Sequence, residues 1–326
     1  MLGGQPLGER VADHEPFVMN AEAQLHEAMR NYQAGASQRF RGSIAAMSER
    51  AKTYVVTGAN TGIGRAAVEQ LADAGAARIV IASRSREKTE PVLAMLAQKG
   101  VETAFVQLEL DDLASVRRAA DELLAQDWTI DVLMNNAGVA GVQGITKDGF
   151  ELAFGTNHLG HYLWTQKLLP LVERAEQGRI VNVSSTGHYR APGIDWDAVR
   201  ETSRSFSAFP EYCVSKLCNV LHASALGRQL AGTKVTTYSL HPGGIASDIW
   251  KRRLGAFAVL LRPFLDTVEK GARTQVRCAV APELAAETGL YYDDQKPKRP
   301  AKLALDEALR DELVARSEEW VRPFLA

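Results

Sequence analysis

Apolar and polar positions follow two patterns that alternate along the chain from about residue 52 onward. Short apolar runs without a period of two are typical of strands buried on both faces. Longer segments with apolar residues every three or four positions are typical of helices that bury one face. The patterns predict strands at 53–57, 78–82, 102–108, 130–134, 179–183, 235–240 and 289–292, and helices at 63–74, 86–98, 113–126, 149–173, 211–230, 271–281 and 305–319.

This alternation predicts an α/β fold, because right-handed helical crossovers join parallel strands into one sheet. We expect a single Rossmann-like doubly wound domain at residues 47–326, with a mostly parallel seven-stranded sheet and helices on both faces. Residues 1–46 are rich in charge, Gly and Gln and are predicted to be a flexible or partly helical N-terminal extension, with a polar helix at 21–32. An oligomerisation arm or targeting element is the alternative interpretation of this extension.

Composition argues against several functional classes. The 326 residues are 46% hydrophobic and 24% charged, as in ordinary globular proteins. A formal net charge of -1 gives no indication of a nucleic-acid partner. Cys213, Cys218 and Cys278 have neither metal-ligand spacing nor a disulfide framework, which fits a reducing, cytoplasmic location. No apolar run approaches the roughly 20 residues of a transmembrane helix, so no transmembrane segment is expected.

A glycine-rich turn lies between the first predicted strand and the first predicted helix. Residues 57–64 read Thr-Gly-Ala-Asn-Thr-Gly-Ile-Gly and contain Gly58, Gly62 and Gly64. Glycine lets the backbone approach a pyrophosphate, and the helix N-terminus then offers free N–H groups to the anion. A tight turn alone would also explain the glycines, but their placement after a strand and before a helix predicts a dinucleotide site.

Tyr212 and Lys216 lie four residues apart in a predicted helix, so their side chains share one face. A phenol has a pKa of about 10, and a nearby ammonium group favours the phenolate and lowers that pKa. The two residues are therefore a candidate general acid/base pair. Tyr-x-x-x-Lys alone is frequent by chance, whereas its position downstream of the glycine turn favours a functional role.

The spacing Gly-x-x-x-Gly-x-Gly resembles that of the short-chain dehydrogenase/reductase family. The resemblance extends from residue 52 to about residue 320 and is carried by 57–64, 135–138, Asn157, 183–185, 212–216 and Pro242-Gly243. Four stretches look like the retinol dehydrogenase-like branch of the family, namely 57–64, 157–161, 215–219 and 271–275.

The resemblance implies a catalytic tetrad of Asn157, Ser185, Tyr212 and Lys216. Tyr212 would exchange the proton with the substrate oxygen, while Lys216 would lower its pKa and bind the nicotinamide ribose. Ser185 would orient the carbonyl or alcohol group. Asn157 would hold a water molecule in a proton relay that reaches Lys216. Taken singly, Ser185 and Asn157 are equally explained as structural polar residues.

The resemblance also implies a set of cofactor-binding residues at the carboxyl ends of the strands. This set is Gly58, Asn60, Thr61, Gly62, Ile63, Gly64, Arg84, Glu109, Leu110, Asn136, Ala137, Gly138, Tyr212, Lys216, Pro242, Gly243 and Ser247. Two members depart from the family pattern, since the family usually has Asp at the position of Glu109 and more often Thr at that of Ser247.

The end of the second predicted strand indicates which cofactor binds. Residues 82–86 contain no acidic side chain for the ribose 2′-hydroxyl of NAD. Arg84 is placed for a bidentate contact to a 2′-phosphate, although a solvated loop arginine is also common. NADP(H) is therefore the expected cofactor, with NAD(H) as the alternative.

These predictions favour an enzyme, an NADP(H)-dependent oxidoreductase that transfers a hydride between the nicotinamide and an apolar small-molecule alcohol, ketone or aldehyde. The alternatives are an epimerase or dehydratase with bound cofactor, and a non-catalytic NADP(H)-sensing protein on the same fold. Aromatic residues at 186–210 and 249–268 suggest an apolar lid over the substrate.

Two further predictions concern metals and subunits. His158 and His161 are three residues apart, but no third ligand accompanies them, so no metal site is predicted. Many members of the family that the chain resembles pair subunits through the two long helices, here 149–173 and 211–230. The resemblance therefore implies a homodimer or homotetramer, although monomers also occur in the family.

Overall fold

The chain forms two compact units, Met1–Arg50 and Ala51–Ala326. The computed structural model describes residues 12–14, 17–19, 52–243 and 267–325. In the first unit the described residues form two antiparallel strands, β1 (Ala12–His14) and β2 (Phe17–Met19). The helix predicted at 21–32 lies outside the described residues, and the interpretation of 1–46 as an extension stays a prediction.

One sheet forms the centre of the second unit. Its strands are β3 (Thr53–Thr57), β4 (Arg78–Ser83), β5 (Glu102–Gln107), β6 (Val132–Asn135), β7 (Gly178–Val183), β8 (Val235–His241), β9 (Leu290–Asp293) and β10 (Lys296–Pro297). Their order is β10-β9-β8-β7-β6-β3-β4-β5, and every neighbouring pair is parallel except β9 with β10. The predicted fold class is confirmed, with eight strands in the described part of the sheet where seven were expected.

The additional strand, β10, is too short to produce a hydrophobic pattern. It contains two exposed residues and pairs with β9 across a two-residue turn. Both turn residues, Asp294 and Gln295, have positive φ angles of 45° and 64°. Two consecutive left-handed residues give the backbone twist that a tight hairpin needs. The pairing therefore depends on turn geometry and not on apolar periodicity.

Helices cover both faces of the sheet. They are α1 (Gly62–Asp73), α2 (Arg86–Gln98), α3 (Leu113–Ala125), α4 (Gly160–Glu173), α5 (Phe209–Gln229), α6 (Val268–Val280) and α7 (Glu307–Val321). Val55 belongs to the hydrophobic cluster on one face and its neighbour Val56 to the cluster on the other, and both are fully buried. Burial of both faces explains why the strand sequences show no alternation.

Side-chain caps begin most of these helices, and α1 is an exception. Ser85, Asp112, Thr267 and Asp306 each accept a hydrogen bond from a main-chain N–H in the first turn of α2, α3, α6 and α7. Thr61, the corresponding residue before α1, makes no such bond. The N–H groups at the start of α1 are therefore available to an anion.

The helix predicted at 149–173 differs from the regular one that its apolar spacing suggested. A helical turn at Leu152–Phe154 leads into a π-helical turn at Gly155–Leu159, and regular α4 begins only at Gly160. Single π turns inside α-helices are rare and frequently occur at functional sites. In the described ranges, no helix is long and apolar enough to cross a membrane.

Candidate functional site

The predicted catalytic residues converge at the carboxyl ends of the central strands. The sheet order reverses between β3 and β6, because β4 and β5 continue on one side and β7 and β8 on the other. Such a reversal opens a crevice in which doubly wound proteins bind ligands. Ser185 follows β7, Tyr212 and Lys216 lie in the first turns of α5, and Asn157 lies in the π turn.

Lys216 is buried at the base of the crevice. Its Nζ donates a hydrogen bond to the carbonyl of Val183 at 2.9 Å, and its own carbonyl accepts one from the Ser184 hydroxyl at 2.6 Å. The ammonium nitrogen lies 5.7 Å from the centre of the Tyr212 ring. Burial lowers the pKa of Lys216 to about 8, because desolvation disfavours the charged amine.

Tyr212 carries the candidate acid/base hydroxyl. Burial raises the pKa of Tyr212, and a hydrogen bond with the Ser185 side chain opposes that rise. The sequence predicted that Lys216 would lower the pKa of Tyr212. In the structure the lysine donates to the Val183 carbonyl instead, and the net shift of the Tyr212 pKa is upward. A Cβ atom on Gly187 would lie 3.3 Å from a carbon of the Tyr212 ring, so the turn after Ser185 packs directly on the phenol.

Asn157 is fully buried, and its side chain is bonded entirely within the protein. The amide oxygen accepts from the Val139 N–H at 2.8 Å. The amide nitrogen donates to the Val139 carbonyl and to the Ser215 hydroxyl, each at 2.9 Å. Ser215 in turn donates to the carbonyl of Tyr212 at 2.8 Å. Asn157 thus connects the segment after β6 with the first turn of α5.

The glycine turn forms the other end of the site. Gly58 and Gly62 have positive φ angles of 67° and 57°. A Cβ atom on Gly58 would lie 2.8 Å from the Cβ of Ala137, and one on Gly64 would lie 2.6 Å from the carbonyl oxygen of Gly58. Larger residues do not fit at 58 and 64, and the backbone stays close to where a ligand would lie.

The start of α1 completes this cradle. Asn60, Thr61 and Ile63 surround its first residue, and the first turn carries no acidic side chain. Gln275 on α6 donates to the Ile63 carbonyl at 3.3 Å and fixes the turn from behind. Free N–H groups, a positive helix end and close-packed glycines fit the pyrophosphate of a dinucleotide.

Comparison with known proteins identifies the family. Residues 52–196 match the family described as short chain dehydrogenase. Human retinol dehydrogenase 12 is 39% identical over 253 residues, which are 75% of this chain and 78% of that protein. The chain belongs to the short-chain dehydrogenase/reductase family. Within it, the chain falls in the retinol dehydrogenase-like branch that four short motifs predicted.

Solved structures agree with this fold. An uncharacterised protein from Mycobacterium paratuberculosis superposes with a TM-score of 0.69 and 31% identity, covering 86% of this chain and 97% of that one. The Pseudomonas aeruginosa RhlG/NADP active-site complex superposes with a TM-score of 0.61 at 23% identity, covering 79% and 98%. A separate match links residues 1–40 to the Pirin C-terminal cupin domain, a stretch too short to establish a second family.

Members of this family are oxidoreductases that act on alcohol or carbonyl groups with a nicotinamide cofactor. Three of the remaining predicted cofactor contacts, Arg84, Glu109 and Leu110, follow the carboxyl ends of β4 and β5. Arg84 is exposed at the end of β4, and the described residues offer it no ion pair. Glu109 forms an ion pair with Lys147 at 3.4 Å. The carbonyl of Leu110 lies against Gly160, where no side chain could fit.

The segment after β8 is only partly described. Pro242 and Gly243 follow the strand, and Gly243 has a φ of 99°. Ser247 lies outside the described residues. The same holds for one of the two segments predicted as a lid, 249–268, whose apolar residues are Trp250, Leu254, Phe257, Leu260, Leu261 and Phe264. Their predicted roles stay predictions.

The structure adds site residues that the sequence reasoning did not single out. Thr57 accepts hydrogen bonds from the N–H groups of Asn136 and Ala137, each at 3.0 Å. His161 contacts both the Thr57 hydroxyl and the Asn157 carbonyl. In the sequence, His161 lies four residues after Asn157, a spacing that places the two side chains on one face of a helix.

Proposed function

We propose that this chain is an NADP(H)-dependent oxidoreductase that interconverts an apolar alcohol and its aldehyde or ketone. The observation that carries the proposal is the convergence of Tyr212, Lys216, Ser185 and Asn157 beside a glycine cradle suited to a dinucleotide. Catalysis needs all of these elements at one crevice, whereas a purely structural protein needs none of them.

The four residues have complementary tasks in this proposal. When bound, the nicotinamide supplies or accepts the hydride. In reduction, the Tyr212 hydroxyl gives its proton to the carbonyl oxygen as the new C–H bond forms on the carbon. Ser185 hydrogen-bonds the same oxygen, and the Lys216 ammonium stabilises the phenolate that remains. Asn157 holds the main chain on both sides of the crevice in place.

Support for NADP(H) comes from the end of β4. The Arg84 side chain is exposed and unpaired within the described part of the chain, while Arg86 forms an ion pair with Glu90 at 3.8 Å. A guanidinium group binds a 2′-phosphate through two parallel hydrogen bonds. The RhlG complex, which contains NADP, has the same fold, so this fold accommodates that cofactor.

Support for an apolar substrate comes from the rim of the site. The Phe209 ring stacks on Tyr212 with centroids 6.0 Å apart. Phe206 is 98% exposed and Val142 is 38% exposed, in two loops joined by a hydrogen bond from Gln143. Exposed apolar residues beside a crevice favour an apolar ligand. The similarity to retinol dehydrogenase 12 makes retinol and retinal suitable first probes.

The decisive experiment measures NADPH oxidation with retinal and other apolar aldehydes and ketones, and NADP⁺ reduction with the alcohols. Tyr212→Phe is expected to lower kcat/KM by about 10²–10⁴-fold, since it removes the acid/base hydroxyl and little else. Tyr291→Phe is the matched control, because the buried Tyr291 hydroxyl has no hydrogen-bond partner in the described structure. It should stay within about twofold of the wild type.

Three results would reject the proposal. A Tyr212→Phe variant that is as active as the wild type would contradict the assignment of Tyr212 as the acid/base. NADPH binding without turnover in either direction, across the panel, would favour the cofactor-sensing alternative. Product formation from an alcohol or sugar without net change in NADPH absorbance would instead indicate the epimerase or dehydratase alternative.

Cofactor preference has a separate test at Arg84. Arg84→Asp should weaken NADPH binding by about 10- to 100-fold and leave NADH binding nearly unchanged, because the carboxylate repels the 2′-phosphate. Arg86→Asp, two residues along and engaged with Glu90, is the control for a general loss of positive charge. Equal losses in the two variants, or unaltered NADPH affinity in Arg84→Asp, would contradict the preference.

A further inference from the structure

The segment 136–139, which crosses the crevice after β6, is held at both ends by side chains from other elements. At one end, the Thr57 hydroxyl accepts from the N–H groups of Asn136 and Ala137, each at 3.0 Å. At the other end, the Asn157 amide pairs with both main-chain groups of Val139, at 2.8 and 2.9 Å. We call 136–139 the crevice segment.

His161 joins the two residues that hold this segment. Its Nε2 lies 2.9 Å from the Thr57 hydroxyl, and its Nδ1 lies 3.1 Å from the Asn157 carbonyl oxygen. The connections form a closed ring from Thr57 through the crevice segment to Asn157, and back through His161. Gly138 is exposed, but the residues that make the hydrogen bonds of the ring are buried or half-buried, so water competes little for those bonds.

The hydrogen-bond partners determine which nitrogen of His161 carries the proton. A carbonyl oxygen only accepts, so the Nδ1 that faces Asn157 must donate. Thr57 already accepts from two N–H groups and has one proton to give. The His161 nitrogen at 2.9 Å is a better acceptor than the Met134 carbonyl at 3.5 Å. Nε2 therefore accepts, and the imidazole is neutral with its proton on Nδ1.

Burial supports the neutral form. His161 is 2% exposed, and desolvation, opposed by the bond to Asn157 and reinforced by Lys216, lowers its pKa to about 3. An imidazolium would face the Thr57 hydroxyl with two donors and would lose that bond. His161 thus keeps one protonation state across the pH range in which enzymes are assayed.

We propose that His161 is a positioning residue that fixes the crevice segment between the cofactor cradle and the catalytic helix, acting as a neutral donor to Asn157 and acceptor from Thr57. The proposal rests on the proposed function of the site. Asn136, Ala137 and Gly138 belong to the predicted cofactor set, and a Cβ on Gly138 would lie 3.0 Å from the Asn157 amide oxygen and 3.4 Å from Lys216 Nζ. A displaced segment would therefore disturb both cofactor binding and the catalytic residues.

The chain contains a matched control in His158. It lies one turn earlier, is equally buried, and has a ring hydrogen bond at 2.8 Å. Its partner is Ser317 of α7 and not a site residue. Replacing either histidine by Phe keeps a ring and removes both nitrogens. His161→Phe removes two ring hydrogen bonds and His158→Phe removes one, so urea unfolding of both variants must accompany the comparison of their sites.

The functional test compares both variants for NADPH binding and turnover. His161→Phe should raise the Kd for NADPH about tenfold and lower kcat about tenfold, as expected for a lost buried hydrogen bond. His158→Phe should change each by less than about twofold. Thr57→Val should repeat the effect of His161→Phe on Kd and kcat, whereas Thr57→Ser should not. The double variant Thr57→Val/His161→Phe should be no worse than the more affected of the two single variants. Equal Kd and kcat in the two histidine variants would overturn the proposal.

A second measurement does not depend on activity or on any variant. Nitrogen-15 NMR of the imidazoles distinguishes the Nδ1–H from the Nε2–H tautomer, and His161 should show Nδ1–H from about pH 6 to pH 8. An Nε2–H tautomer or an imidazolium would contradict the ring. If the wild type binds no NADPH, the proposed function fails while this measurement still decides whether the ring exists.

Discussion

The ammonium group of Lys216 is buried, with the Val183 carbonyl as its hydrogen-bond acceptor. Desolvation is the cause that lowers its pKa to about 8, from the ordinary value of 10.5. Near neutral pH the lysine is therefore mostly protonated, but it loses its proton at a lower pH than a lysine in water does. This residue, and not the phenol, is the group most sensitive to mildly alkaline solution.

We expect kcat/KM for NADPH to fall as the pH rises through about 8, because the neutral amine no longer stabilises the Tyr212 phenolate. The measurement is the pH profile of kcat/KM, which reports the pKa values of the free protein. An arginine at position 216 keeps its charge to a much higher pH. The Lys216→Arg variant should therefore have a lower kcat/KM than the wild type but show no decline of kcat/KM around pH 8. A wild-type profile that stays flat up to about pH 10 would contradict this role of Lys216.

The identity of the catalytic residues could be predicted from spacing, but their partners could not. Tyr212 and Lys216 follow from a four-residue interval, which is a local property of a helix. The bond between Thr57 and His161 joins residues 104 positions apart, and that between Asn157 and Ser215 spans 58. Such contacts depend on how the strands assemble. For the same reason the pKa of Tyr212, predicted to be lowered by Lys216, is raised by burial.

Apart from the helix predicted at 149–173, the predicted strands and helices have ends within three residues of the observed ones. The strand Thr53–Thr57 and the helix Arg86–Gln98 have the bounds that the pattern gave. The π turn Gly155–Leu159 was not predicted, because its residues continue the apolar spacing and only the main-chain hydrogen bonding changes. The exception matters for function, since the turn contains Asn157.

Three buried histidines lie where the π turn, α4 and α5 meet. The His222 ring packs 4.9 Å from that of Tyr162 and 5.8 Å from that of His158. Desolvation lowers the pKa of His158 well below 6.5, that of His161 to about 3 and that of His222 to about 4. The unfolded chain therefore binds more protons below pH 6.5 than the folded chain does, and stability decreases as the pH falls.

We expect the free energy of unfolding to decline from about pH 6.5 toward pH 4, with each neutral histidine costing about 1.4 kcal/mol one pH unit below 6.5. Urea unfolding at about pH 7.5 and pH 5.5 measures the loss, to which carboxylates also contribute. His222→Phe isolates one histidine and should reduce the loss by about 1.4 kcal/mol. An identical loss in the wild type and in this variant would mean that His222 is protonated in the folded protein.

At the scale of the whole second unit, α7 lies against the two helices through which many family members pair. Its Ser317 bonds His158, its Trp320 packs on Phe150 at 5.1 Å, and its Glu307 forms an ion pair with Arg228 of α5. Few residues of the two helices stay exposed, namely Pro170 and Glu173 on α4 and Pro210, Arg228 and Gln229 on α5. Helices that are apolar on nearly all sides are buried by their own chain.

Subunit pairing through α4 and α5 would need the apolar surface that α7 already covers. Between the three helices remains a groove of about 520 Å³, lined among others by Gln166, Ala225 and Val314. A long side chain at Ala225 has room there without displacing α7. The same side chain would stand in the way of a second copy that packed on α5.

We therefore expect Ala225→Arg to leave the sedimentation coefficient of the full chain unchanged, because any association of subunits would use surfaces other than α5. Removing residues 306–326 uncovers apolar faces of α5 and of the helical stretch before α4. The truncated chain should therefore associate or aggregate as its concentration rises. Sedimentation velocity over a range of concentrations measures both. A full-length dimer whose mass halves in Ala225→Arg would show that copies pair through α5 despite α7, in agreement with the homodimer or homotetramer that the family resemblance implies.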